Sequence, residues 1–163
     1  MFGIVLHKED GTGKEDGFTL IEIMLVIVII AMLAAIAVPR LTASAETARQ
    51  KADITTGHEL KAALDRYQVE NGEYPKFDEM TAKNGEITCS KFIPQYIKKL
   101  NDQITQQSAD ESKKGFGVAQ TEKGAELPSP QNIVMIYLSR DGTMAEVQVY
   151  NKSLESVLWS SAE

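Results

Sequence analysis

From Phe18 to Val38 the chain reads FTLIEIMLVIVIIAMLAAIAV, twenty-one residues with a single ionisable side chain, Glu22. Nothing else in the sequence limits the fold as strongly. A helix rises about 1.5 Å per residue, so this run spans roughly 30 Å, the thickness of a bilayer's hydrocarbon core. A helix lying on a soluble core is apolar along one stripe, whereas this one is apolar on every side. Residues 18–38 are therefore predicted to form a membrane-spanning helix. Glu22 stands out, because a carboxylate at the centre of a span costs about 2.5–3.5 kcal/mol and intramembrane acids are usually functional. It lies about one turn from the start, close to an interface and away from the midplane.

The residues before the span, KEDGTGKEDG, are polar and end at Gly17. A cut after Gly17 would give Phe18 a new α-amino group at the positive end of a helix, where the macrodipole disfavours a cation. Glu22, one turn on, lies on the same side and would neutralise that amine, or the amine of a neighbouring copy. In lipid nothing screens such a pair.

Gly17, Phe18, Thr19, Leu20, Ile21 and Glu22, then an unbroken apolar run and Pro39, resemble the class III signal of type IV prepilins and the related pseudopilins. The close match covers residues 14–41, and weaker similarity extends to about residue 100. The resemblance implies that residues 1–17 are a leader, that a prepilin peptidase cuts between Gly17 and Phe18 and methylates the amine of Phe18, and that Glu22 and Phe18 guide docking into a helical filament. It implies a single-pass precursor in a bacterial inner membrane, with the leader in the cytoplasm, and later an extracellular or cell-surface filament. The implied partners are further copies of the chain, the peptidase, an inner-membrane assembly platform and membrane lipid. Charge alone does not set the orientation, because Lys8 and Lys14 on one side face Arg40 and Arg49 on the other. An ordinary secretory signal is the competing reading, with Ala35-Ile36-Ala37 as a small-x-small cleavage site. Against it stand an apolar run long for such a signal, Glu22 near its start, and Pro39 two residues beyond the cut.

After Pro39 the pattern changes. Leu41, Ala45, Ala48, Ala52, Thr56, Leu60, Ala63 or Leu64, and Tyr67 recur at three- or four-residue spacing, which predicts an amphipathic helix. Glu46, Arg49, Lys51, Asp53, Glu59, Lys61, Asp65 and Arg66 read as its solvated face. Asn71-Gly72 is a stop signal. One long helix is thus expected from Phe18 to about Asn71, bent near Pro39, which lacks the N–H that the ladder uses. Gly57 is a second weak point, at about 1 kcal/mol relative to alanine. The expected organisation is leader 1–17, spine helix 18–71 and a globular domain 72–163. A span continued by an amphipathic spine is, by resemblance, the pilin shape: an α+β fold with the helix packed on a small antiparallel sheet.

Residues 72–91 read as loop with short elements, Tyr74 packing the turn against the helix. The run Asn71-Gly-Glu-Tyr-Pro75 is similar to the N-G-x-Y-P that follows the spine in pseudopilins and many pilins. SKFIPQYIKKL, residues 90–100, is predicted as a short helix, and resembles the Y-[IL]-x-x-L segment of major pseudopilins. There a D-P-W-G run commonly follows, where this chain has Asn101-Asp102-Gln103-Ile104. Residues 101–131 are expected to be exposed polar loop apart from a short strand at 116–120. Asn132–Arg140 and Met144–Asn151 flank Asp141-Gly142 and predict a β-hairpin. Leu154–Trp159 is an edge strand or a short helix, with Trp159 anchoring the tail.

The chain has 163 residues and a formal net charge of −6, of which the leader carries two negative units. So mild an acidity gives no general electrostatic case for nucleic acid. One cysteine, Cys89, allows no internal disulfide and reads as a small core residue. Many pilins carry a C-terminal disulfide loop, which this chain does not have. His7 and His58 have no metal-ligand spacing, and neither a phosphate-binding loop nor a nucleophile elbow occurs. Asp65 with Glu59, and Asp110 with Glu111, are carboxylate pairs without a pocket. Asp141 with Glu146 falls short of the six to eight oxygens that calcium takes. No catalytic residue, cofactor or metal is expected. The expected function is that of a structural subunit of a type IV pilus-like filament. The alternatives are a pseudopilin of a type II secretion or DNA-uptake system, and a single-pass anchored binding domain.

Overall fold

The computed structural model describes residues 17–162. The expected leader, with His7, lies outside the described residues apart from Gly17. The chain divides into two units, one ending at Leu41 and one beginning at Thr42. Helix α1, Leu20–Asn71, begins in the first and ends in the second, with Pro39 inside it. Its end falls at the predicted stop, where the Gly72 N–H donates to the Gln68 carbonyl at 2.8 Å.

In the first unit the described residues are helical from Leu20 onward, and all of them are exposed. Among the large apolar side chains from Phe18 to Leu41, the least exposed is Val28, at 43%. An eighteen-residue window of this helix has a mean hydropathy of 3.0, enough by length and composition to cross a membrane.

In the second unit α1 packs on a sheet. The strands are β1 (Thr81–Lys83), β2 (Glu86–Thr88), β3 (Phe116–Gln120), β4 (Val134–Leu138), β5 (Ala145–Tyr150) and β6 (Val157–Ser160). β1 and β2 form a hairpin, and the others a sheet in the order β3-β4-β5-β6. β4–β5 and β5–β6 are antiparallel, as the Asp141-Gly142 signal predicts, and β6 is the edge-strand alternative for the tail. β3 runs parallel to β4, so the sheet is mixed. The connection, residues 121–133, is long enough for the crossover that parallel strands need.

All five residues of β4 are buried because both faces of the sheet are covered. On one face Val134, Ile136 and Leu138 meet Leu60, Ala63, Leu64 and Tyr67 of α1. On the other, Met135 and Tyr137 cluster with Tyr150 and Leu127. The hydroxyls of Tyr137 and Tyr150 lie 2.8 Å apart, and Tyr137 also donates to the Pro128 carbonyl at 3.2 Å.

The buried face of α1 departs from the expected stripe in its first part. Leu41, Ala45 and Ala48 are exposed, while Asp53 and Gly57 are buried. Gly57 lies against the sheet: a Cβ there would stand 2.6 Å from Val149 Cγ2 and 3.1 Å from ring carbons of Trp159. Trp159 also packs against exposed His58, with ring centroids 4.2 Å apart and the planes tilted by 44°. Asp53 is no member of a solvated face. Its carboxylate accepts the backbone N–H groups of Gln106 (2.6 Å) and Gln107 (3.1 Å). Burial pushes its carboxyl above the usual range, against the pull of those two amides.

Two further expectations are corrected. Residues 90–100 form turns and no helix: Phe92 and Ile93 both donate to the Cys89 carbonyl, and Tyr96 to that of Phe92. Pro94 has no N–H to give and disfavours helical backbone at Ile93. The aromatic residues find a better site by wedging beside α1, with Tyr96 5.1 Å and Phe92 6.1 Å from Tyr67 between ring centroids. The 101–131 stretch is not simply exposed, since Asn101, Thr105, Gln107 and Thr121 are buried. Gln107 Nε2 donates to the Tyr150 carbonyl at 2.9 Å, and Thr105 Oγ1 accepts the Gly115 N–H at 2.9 Å. Tyr74 packs as expected, its hydroxyl donating to Asp65 Oδ1 at 2.9 Å. Cys89 is free and buried.

Candidate functional site

The segment singled out by the sequence, Gly17 to Glu22, opens the first unit. Gly17, Phe18 and Thr19 precede the helix, and Leu20 begins it. Thr19 is the cap. Its backbone N–H and its hydroxyl both donate to Glu22 Oε2 at 2.8 Å, and its Oγ1 accepts the Glu22 N–H at 3.3 Å. This reciprocal arrangement is a capping box, which satisfies two of the donors that a helix start leaves without partners. The Thr-x-x-Glu spacing before an apolar run was available in the sequence as its signal. The expectation that Glu22 partners an amine leaves Thr19 out.

The cap fixes where the helix starts, two residues beyond Phe18. The Gly17–Phe18 peptide therefore lies in non-helical, exposed chain. Phe18 is 85% exposed. A Cβ placed on Gly17 would meet nothing within 4 Å. Among the described residues, nothing demands a glycine at position 17. Glu22 and Phe18 stand together at this end of α1, and Pro39 lies far along the helix from both.

Chemistry elsewhere is sparse. Among the described residues no three His, Cys, Asp or Glu side chains converge. The Asp141 carboxylate is engaged within its own turn. Hydrogen bonds from Ser139 and Thr143 hold its carboxyl down at about 2. Glu146 accepts from Gln148 Nε2 at 2.6 Å and from Ser160 Oγ at 3.0 Å. Each of these acids therefore has its own local partners.

Comparison with known proteins bears on the same end of the chain. Residues 13–38 match the family model described as the prokaryotic N-terminal methylation motif. The type II secretion system core protein G of Vibrio cholerae serotype O1 is 42% identical over 66 residues, 40% of this chain and 45% of that protein. That of Escherichia coli strain K12 is 45% identical over 64 residues, 39% of this chain and 44% of that protein. That of Klebsiella michiganensis is 34% identical over 93 residues, 53% of this chain and 66% of that protein. The chain thus spans less than half the length of the Vibrio and Escherichia relatives. No solved structure gives a significant match. Carrying the methylation motif across the start of α1 and sharing sequence with these core proteins, the chain is similar at this end to the type IV pilin and pseudopilin family.

Proposed function

We propose that the chain is a structural subunit of a type IV pilus-like filament, made as a membrane-anchored prepilin and assembled through its apolar helix. The observation that carries this reading is the first unit of α1. It exposes apolar side chains on every side, and it ends in a capped, accessible segment holding the family's Gly-Phe junction and one acid. In lipid that surface is solvated by acyl chains; in a filament it is buried again against the helices of other copies. Residues 1–17 act as the leader, Gly17 and Phe18 flank the cleavage, the amine of Phe18 is methylated, and Glu22 meets an amine during docking. Pro39 is the point at which the spine yields. The names of the relatives favour the secretion form, a short pseudopilus in the periplasm, over a long surface pilus or a DNA-uptake filament. The chain is not assigned a catalytic role.

Two variants test the reading. Gly17→Leu is expected to leave the fold intact, since nothing lies near that position, yet to block processing. Glu22→Ala is expected to be processed normally and to fail in assembly. Processing is read as a mobility shift and assembly as protein in sheared filaments. Wild-type filaments from Glu22→Ala cells would contradict the docking role. A wild-type protein that stays uncut and monomeric would instead mark an anchored binding domain.

A further inference from the structure

Three segments that are distant in sequence converge beside β3. The Asn84-Gly85 turn puts Lys83 at the tip of the β1–β2 hairpin, and the Gly85 carbonyl accepts the Phe116 N–H at 3.0 Å. Gly115 sits at the crossing: a Cβ there would stand 2.3 Å from the Gly85 carbonyl oxygen and 2.9 Å from Asp102 Cα. These segments, with the residues just before β4, line a cleft of about 520 Å³. That volume lies in the range of small-molecule sites. The lining includes polar atoms without a partner. Val134 donates to the Gly115 carbonyl at 3.2 Å and Thr121 to that of Leu138 at 2.9 Å, so in the parallel ladder Val118 turns its N–H and C=O away from β4. Asn132 is 8% exposed, and its Nδ2 donates to the Lys114 carbonyl at 2.7 Å. Its Oδ1 has no hydrogen-bond partner among the described residues. Gly117 leaves room for that oxygen, since a Cβ there would stand 2.8 Å from it.

The charges of the cleft are balanced and open. Lys83 and Asp102 both line it, and among the described residues neither the ammonium nor the carboxylate has a partner. Glu111, the other ionised group of the lining, accepts from Lys114 Nζ at 2.7 Å. A ligand of either net charge would meet one like charge here, whereas a neutral molecule meets none. Such a molecule must donate to Asp102 and to Asn132 Oδ1, and accept from Lys83 and from the Val118 N–H. A hydroxyl does both. A pyranose carries several hydroxyls on a rigid ring, so little freedom is lost when it binds. An extended peptide fits less well, because its ladder along β3 would be cut at Phe116, whose N–H is already taken by Gly85. Phe116, the aromatic residue of the lining, is fully buried, so affinity rests on hydrogen bonds without stacking.

We infer that this cleft binds a neutral saccharide, with one pyranose ring held by Lys83, Asp102 and Asn132. The site lies wholly in the second unit and does not depend on the filament reading. Its test uses the full chain in a detergent without a sugar headgroup. The chain is titrated calorimetrically with the methyl glycosides of glucose, galactose, mannose and N-acetylglucosamine. At least one is expected to bind in the millimolar range. Asp102→Ala and Lys83→Ala should each weaken that binding about tenfold, as loss of a hydrogen bond to a charged group does. Glu86→Ala, on β2 and outside the cleft, should leave it unchanged. A second measurement needs no substitution and so no assumption about folding. The glycoside that binds should slow acetylation of Lys83 and not of exposed Lys98, read by peptide mass. Absence of binding by all of the glycosides overturns the site. So does binding that leaves Lys83 unprotected and is equal in both variants. Protection of Lys83 by acetyl-tetraalanine amide, and by none of the glycosides, overturns the saccharide in favour of a peptide.

Discussion

Asp53 is the residue whose surroundings differ most from its sequence pattern. It is fully buried, and its carboxylate is the acceptor for two backbone N–H groups of the 104–107 loop. Burial raises its carboxyl above the unfolded value, so the folded chain holds the proton over a window in which the unfolded chain has lost it. Its contribution to stability therefore falls as pH rises through that window and is level above it. Asp53→Asn should remove this slope, so that the stability difference between wild type and variant changes with pH only across the window. Asp53→Ala leaves both amides without an acceptor and should cost about 2–4 kcal/mol. Denaturant midpoints of the detergent-solubilised full chain, taken across the acidic range, check both; a difference that does not change with pH would contradict the account. The sequence hides this role because the partners of Asp53 lie more than fifty positions away, in a loop with no periodicity. Glu22 is the opposite case. Its oddity is visible in the composition of the run, and its partner Thr19 lies three residues away in a readable spacing.

Among the elements, the spine, the β4–β5 hairpin and β3 were all legible, since each has a period or a turn pair of its own. The β1–β2 hairpin carries the strongest short-range signal of all, Asn84-Gly85, whose φ angles are +51° and +73°. Its three-residue strands are too short to show alternation, so the turn pair stands alone as a signal. At residues 90–100 the apolar spacing points to a helix, and Pro94 decides for turns instead. The parallel placement of β3 depends on a crossover that no local pattern encodes. Gly57 was legible as a weak point of the helix, but its reason is tertiary. Alanine is the better helix former by about 1 kcal/mol, yet its Cβ would overlap Val149 Cγ2. Overpacking of that kind costs about 1–3 kcal/mol. Gly57→Ala is therefore expected to lower the thermal midpoint of the second unit, read by near-ultraviolet circular dichroism of Trp159. A raised midpoint would show that β5 and β6 yield readily at this contact.

For the whole molecule, the two units meet opposite demands. The second buries a core on both faces of its sheet. The first leaves every large apolar side chain from Phe18 to Leu41 exposed, a surface that lipid would cover. That division, together with the family motif, is what makes a processed, polymerising subunit the reading that fits best. Its most direct test is the intact mass of the chain recovered from sheared filaments. The account predicts a chain that starts at Phe18 and carries one added methyl group. A chain that retains its first seventeen residues, or one that starts at Val38 after simple secretion, would contradict it.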